Sequence, residues 1–120
     1  MTIERFDTGP RLSEMTVHRH PGGGGTVYLA GQVAADGGQD IRGQTTQILG
    51  AIDALLARAG SDKSKLLRVQ IFIADLADFA AFNALWEAWL PAGSAPARAT
   101  VQAPLARPEW RVELVVTAAL

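Results

Sequence analysis

The sequence predicts an α+β fold of two layers, a mixed sheet that carries two helices on one face. Two segments repeat apolar residues at helical spacing, and six shorter runs have the composition and alternation of strands. The helical segments stand between strands, which gives the order β-β-β-α-β-α-β-β. A chain of 120 residues can bury one hydrophobic core, so we predict a single domain over residues 1–120.

Three strands are predicted before the first helix. Residues 2–7 form a short edge strand that ends at 9–10, a Gly-Pro pair, and residues 14–20 alternate only loosely. Residues 26–30 form a clearer strand. The glycine-rich stretch 21–25 between the second and third strands predicts a hairpin loop.

The first helix is predicted over residues 40–59, where Asp40 can cap its beginning and Gly60 its end. A strong strand follows over residues 66–73. The apolar residues of the helix fall on one stripe: Ile41, Ile48, Ile52, Leu55, Leu56 and Ala59.

The second helix is predicted to begin at Asp75 or Asp78 and to stop at Pro91. Strands near 97–103 and 110–118 complete the chain. The residues of the second helix that we expect to face inward are Phe79, Phe82, Leu85, Trp86 and Trp89. With both helices on one face, the other face of the sheet stays open, and a neighbouring subunit would cover it.

The composition of the chain disfavours several classes of partner and site. Apolar residues make up 48% of the chain and charged residues 19%, with a net charge of −1 and no basic cluster. We therefore predict no nucleic-acid partner and no membrane partner. Cysteine is absent, which removes disulfides, zinc-thiolate sites and a cysteine nucleophile. His18 and His20 lack further ligands nearby, so no metal site is predicted, and the absence of a signal-peptide pattern predicts a cytoplasmic protein.

Two charged residues stand out because they lie in strand-like segments. Arg98 lies in the stretch 96–103, and Glu113 lies in the final strand. Burying a charge in a strand is costly unless a partner or ligand compensates. A guanidinium is well shaped to bind a carboxylate through two parallel hydrogen bonds.

The spacing permits these residues to meet if the last two strands form a hairpin over the loop 104–109. Thr100 would then face Glu113, and Arg98 would lie diagonally, about 7–8 Å away. A slip of one residue would separate them. Two interpretations stay open at this point: an ion pair that fixes strand register or a subunit contact, and a site that shares one ligand.

The order and spacing of several short motifs resemble the RidA family, also called YjgF/YER057c/UK114. The motifs span about residue 8 to the end of the chain, and two further stretches, 60–64 and 86–93, resemble the YoaB-like branch. The matching residues are Gly31-Gln32, Gln44-Thr45, Asn83, Pro96-Ala97-Arg98 and Val112-Glu113.

This resemblance implies a chorismate-mutase-like fold and a homotrimer with three ligand clefts between subunits. It implies hydrolysis of reactive 2-imino acids and their enamine tautomers to 2-oxo acids and ammonia. Arg98 would hold the substrate carboxylate, Glu113 would orient or activate water, and Gly31 and Asn83 would help line the cleft. Thr100 can hydrogen-bond the carboxylate or the water. No metal or organic cofactor is expected, because an imine is already electrophilic.

Three positions depart from the best-known members of that family. Leu12 stands where they have a cleft-lining tyrosine, Ala30 replaces a serine, and Thr100 replaces a cysteine. The loss of polar lining favours an alternative, a trimeric protein that binds small 2-oxo or related acids without converting them. Old family labels suggest a third function, RNA cleavage or translation inhibition, which the acidic pI and the missing basic face disfavour.

Overall fold

The computed structural model describes residues 2–120, which form six strands and two α-helices in the predicted order. None of the helices within this range is long and apolar enough to cross a bilayer. The strands are β1 (Thr2–Phe6), β2 (Met15–Arg19), β3 (Gly25–Leu29), β4 (Leu66–Ile73), β5 (Ala97–Gln102) and β6 (Val112–Ala119). The helices are α1 (Ile41–Ala59) and α2 (Phe79–Trp89).

The helices begin and end through the capping chemistry that the sequence predicts. The Asp40 carboxylate accepts a hydrogen bond from the Gly43 N–H at 2.9 Å, and Gly60 ends α1 with a left-handed φ of 83°. A single 3₁₀ turn precedes α2, and the Asp75 carboxylate caps it by accepting from the Ala77 N–H at 2.9 Å. Caps of this kind satisfy backbone groups that the helix itself leaves free.

The six strands form one mixed sheet in the order β1-β2-β3-β6-β4-β5. Only β4 and β5 are parallel to each other; every other neighbouring pair is antiparallel. The hairpin of the last two strands, which was the condition for Arg98 and Glu113 to meet, does not form, because β4 lies between β5 and β6. The crossover through α2 brings the chain back so that β5 runs parallel to β4. β5 pairs with β4 and forms the edge of the sheet.

Both helices cover one face of the sheet, as predicted, and the core lies between the two layers. Alternate residues of β6 are buried on this helix face: Val112, Leu114, Val116 and Ala118. On the opposite face, no second layer formed by residues 2–120 covers the sheet. Ile3, Tyr28 and Val101 lie on that face and remain 54%, 47% and 45% exposed. Exposed apolar side chains of this size suit contact with another chain.

The fully buried side chain of Gln44 fixes the entry to β6. Its Nε2 donates to the carbonyls of Gly37 at 3.2 Å, Gln39 at 3.0 Å and Glu109 at 2.9 Å. Its Oε1 accepts from the backbone N–H of Arg111 at 2.9 Å. The Gln44 amide thereby links the loop before α1 to the loop before β6 and satisfies backbone groups of both loops.

Candidate functional site

Arg98 lies on the edge strand β5 and faces the helix side of the sheet, since it aligns with buried Val69. Its Nη1 donates a hydrogen bond to Asn83 Oδ1 at 2.8 Å. Its guanidinium carbon lies 5.6 Å from the ring centres of both Phe79 and Trp86. Arg98 is exposed, so the burial penalty suggested by its strand-like neighbours does not apply. Within residues 2–120 no carboxylate oxygen comes within 4.0 Å of its guanidinium.

Thr100 shares the helix face with Arg98, two residues along β5, and aligns with buried Ile71. Its hydroxyl is inaccessible and has no hydrogen-bond partner in the part of the chain that the structure describes. A buried hydroxyl without a partner carries a free-energy cost of about 1–3 kcal/mol. Thr100 therefore lies on the same face of β5 as Arg98, but its hydroxyl is not accessible to solvent in the single chain.

Glu113 lies on β6 and faces the uncovered side of the sheet, where it aligns with Phe72. It is half-buried and lies directly against Gly31. A Cβ atom added to Gly31 would lie 2.6 Å from Glu113 Oε2 and 2.8 Å from its Cδ. Only a residue without a side chain permits this approach, so Gly31 gives the carboxylate its place.

Gln32 and Glu14 lie beside this pair and hold the strand-end loop in position. The Gln32 backbone exchanges hydrogen bonds with Leu114, at 2.8 and 3.1 Å. Its side-chain Nε2 donates to the Ala30 carbonyl at 2.9 Å and to Glu14 Oε2 at 3.3 Å. Glu14 was not among the predicted site residues, and no motif in the sequence marks it.

Leu12 lies in the loop between β1 and β2 and is 54% exposed. With Asp7, Arg11 and Glu14 it lines an open cleft of about 380 Å³. The loop reaches the neighbourhood of Gln32 through Glu14. The structure thus groups the predicted residues into two clusters, which we name by their charged members. The Arg98 cluster contains Arg98, Asn83, Thr100, Phe79 and Trp86; the Glu113 cluster contains Glu113, Gly31, Gln32, Glu14 and Leu12.

One chain does not bring the two clusters together. Arg98 faces the helix side of the sheet and Glu113 faces the uncovered side, with β4 between their strands. Two strand spacings and three residues along the strand separate their Cα atoms by about 14 Å. A single chain therefore lacks the β5–β6 hairpin through which both side chains would reach one ligand.

The contacts of Phe79 and Trp86 with Arg98 were not predicted, because sequence reasoning placed both rings only in the core. The signal was available in their spacing. Residues i, i+4 and i+7 share one face of a helix, and Phe79, Asn83 and Trp86 have that spacing in α2. No three His, Cys, Asp or Glu side chains within residues 2–120 converge to form a metal site.

Residues 8–120 match the protein family described as endoribonuclease L-PSP. The chain is 43% identical to RutC family protein YoaB from Escherichia coli (strain K12), over the full length of both chains. A crystal structure of an uncharacterized protein from Pseudomonas aeruginosa is 47% identical, with a TM-score of 0.92 and 98% of each chain covered. A member of the YjgF protein family from Neisseria meningitidis is 45% identical, with a TM-score of 0.89, covering 98% of this chain and 94% of the other.

Proposed function

This chain belongs to the RidA (YjgF/YER057c/UK114) family, and from that membership we propose that it hydrolyses 2-imino acids and their enamine tautomers to 2-oxo acids and ammonia. The observation that carries the proposal is the pair of charged clusters. One presents a guanidinium that has no carboxylate partner in the part of the chain described, residues 2–120, and the other presents a half-buried carboxylate against Gly31.

Arg98 binds the substrate carboxylate. A guanidinium forms two parallel charge-assisted hydrogen bonds with a carboxylate, which fixes the position and orientation of the substrate. The single hydrogen bond to Asn83 uses only one N–H of Nη1, so the other donors remain available. Holding the imine beside its attacking water removes a large part of the entropic barrier.

Glu113 acts as the general base for water. It accepts a proton as the water oxygen bonds to the carbon of the protonated C=N group, which gives a carbinolamine. Glu113 then donates this proton to the nitrogen and accepts the proton of the carbinolamine hydroxyl as the C–N bond breaks, so that ammonia leaves and the C=O group of the 2-oxo acid forms. A well-placed general base accelerates such a step by about 10²–10⁴-fold.

Adjacent subunits complete each cleft, with the Arg98 cluster of one chain facing the Glu113 cluster of the next. Two features support this arrangement: the clusters are on opposite sides of the sheet, and that sheet has an uncovered apolar face. A closed ring of identical contacts joins unlike surfaces of neighbouring copies, as this pairing requires. We propose a homotrimer, the assembly that the family resemblance implies.

Trapping of imine with semicarbazide tests the reaction. An amino-acid oxidase generates the 2-imino acid, and semicarbazide competes with the protein for it. Because semicarbazide also reacts, more slowly, with the 2-oxo acid, the yield is measured as the semicarbazone formed at early times. Wild-type protein is expected to lower this yield, and Arg98→Ala is expected to restore it. Equal yields with wild-type protein and Arg98→Ala would refute the proposed hydrolysis.

A second function, binding of a small 2-oxo acid without turnover, is favoured by the surroundings of the charged residues. Leu12 brings an apolar side chain to its cleft, Ala30 has no hydroxyl, and the Thr100 hydroxyl is buried. In this case 2-oxobutyrate raises the melting temperature of the wild-type protein but not of Arg98→Ala. Semicarbazone yields would then be the same with and without the protein.

A further inference from the structure

We propose that Phe79 and Trp86 are positioning residues that hold the Arg98 guanidinium in one orientation, with a free edge directed away from α2 for a carboxylate. The inference deepens the proposed function, since it rests on Arg98 as the carboxylate-binding group. It predicts that affinity for carboxylates depends on two aromatic rings that lie outside the contacts with the substrate.

The geometry of α2 puts two rings next to the guanidinium. Phe79 and Trp86 are seven residues apart on one face of the helix, or about 10 Å along its axis. The guanidinium carbon is 5.6 Å from each ring centre, which is within the range of a cation–π interaction with both. Asn83, one turn from each ring, accepts the Nη1 hydrogen bond at 2.8 Å.

These three contacts restrict an otherwise mobile side chain. Arginine loses considerable rotamer freedom when a ligand orders it, and a receptor that is already ordered avoids that loss on binding. The rings attract the cation without using its N–H groups, and Asn83 uses one of them. The other donors stay free for a ligand, because no carboxylate within residues 2–120 lies within 4.0 Å of the guanidinium.

Trp86 has no route to the substrate except through Arg98. It is only 4% exposed and stacks on the fully buried Phe82 with ring centres 6.1 Å apart. Phe79 is half-buried and therefore needs a test that separates positioning from contact with the substrate. If a ring positions Arg98, its removal weakens the binding of all carboxylates by the same factor. If a ring contacts the substrate, its removal weakens the binding of long acids more than that of short ones.

A cation–π pair outside α2 supplies the matched control. The Trp110 ring centre lies 5.2 Å from the guanidinium carbon of Arg107, and Trp110 is half-buried like Phe79. Trp110→Leu therefore removes an aromatic ring from another guanidinium and leaves the rings beside Arg98 in place. Phe82 and Trp89 are unsuitable as controls, because both rings pack against Trp86.

Isothermal titration calorimetry with acetate, 2-oxobutyrate and 2-oxohexanoate tests the inference on the assembled protein. Phe79→Leu and Trp86→Leu are expected to raise Kd about three- to ten-fold for every acid. Phe79→Tyr and Trp86→Phe keep a ring and are expected to restore Kd to within about two-fold of wild type. Trp110→Leu is expected to leave Kd unchanged.

Unchanged affinity in both Phe79→Leu and Trp86→Leu, or a loss confined to the longest acid, would overturn the inference. If Trp86→Leu does not fold, Phe79→Leu decides, because it truncates a half-buried ring. A different result would refute the proposed function itself: equal Kd values of wild-type protein and Arg98→Ala for the three acids. Wild-type binding that Arg98→Ala abolishes, combined with unchanged binding in Phe79→Leu, would refute only the positioning role.

Discussion

Replacing Gly31 with alanine tests the contact that gives Glu113 its position. The new Cβ would lie 2.6 Å from Glu113 Oε2, whereas ordinary contacts begin at 3.4 Å. The carboxylate must therefore move by about 0.8 Å. A misplacement of about 1 Å can lower a catalysed rate by about 10²-fold, so we expect Gly31→Ala to lower kcat by about two orders of magnitude.

The stability of the fold should change little in this variant, because the displaced group is the end of a flexible side chain. Gly50→Ala is the matched control, since a Cβ at Gly50 in α1 meets no atom within 4 Å. Semicarbazone yield measures turnover, and urea unfolding measures stability.

A double-mutant cycle completes this test. If the clash with Glu113 causes the loss, Gly31→Ala added to Glu113→Ala has no further effect on turnover. Wild-type turnover in Gly31→Ala would refute the proposed role of this contact. So would an equal loss in the presence and absence of the Glu113 carboxylate.

Three further predictions concern stability and are checked by urea unfolding. Gln44→Leu removes the buried amide that pairs with the Arg111 N–H and with several loop carbonyls, and should lower the free energy of unfolding by about 3 kcal/mol. A loss below about 1 kcal/mol would contradict the role of this amide. Thr45→Val removes a buried hydroxyl that has no partner within residues 2–120, and should raise the free energy of unfolding by about 1 kcal/mol; destabilisation would show that the hydroxyl is satisfied. The hydrogen bond from Arg58 lowers the pKa of Asp7 below its usual value of 3.8, so its stabilising contribution is present above pH 3.8 and is lost as the pH falls through the lowered pKa. Asp7→Asn should therefore be less stable than wild type at pH 6, and the difference should shrink at lower pH; a difference independent of pH would contradict this.

Much of the fold followed from local patterns, but the position of the last strand did not. The short loop 104–109 permits a hairpin of β5 and β6, whereas β6 lies in the centre of the sheet between β3 and β4. Burial explains the outcome. Every second residue of β6 is buried from Val112 to Ala118, while β5 buries no residue fully and suits an edge. A comparison of the apolar content of the two strands would have indicated which one is central.

The candidate site was predicted as a list of residues and not as an arrangement. Local alternation correctly put Arg98 and Thr100 on one face of β5. It could not reveal that Glu113 faces the opposite side of the sheet, because that depends on which strands are neighbours. The aromatic surroundings of Arg98 also depend on a tertiary contact, the packing of α2 against β5. The periodicity of a strand does not predict such a contact.

Mixing two inactive variants tests the central claim, that each cleft combines the Arg98 cluster of one subunit with the Glu113 cluster of another. Arg98→Ala and Glu113→Ala chains are unfolded together in equal amounts, refolded and assayed by semicarbazone yield, with light scattering against the chain mass of 12.7 kDa to verify the assembly. Random assortment restores both residues to about a quarter of the clefts, so turnover should return to about a quarter of wild type. Turnover no higher than that of either variant alone would contradict a cleft shared between subunits.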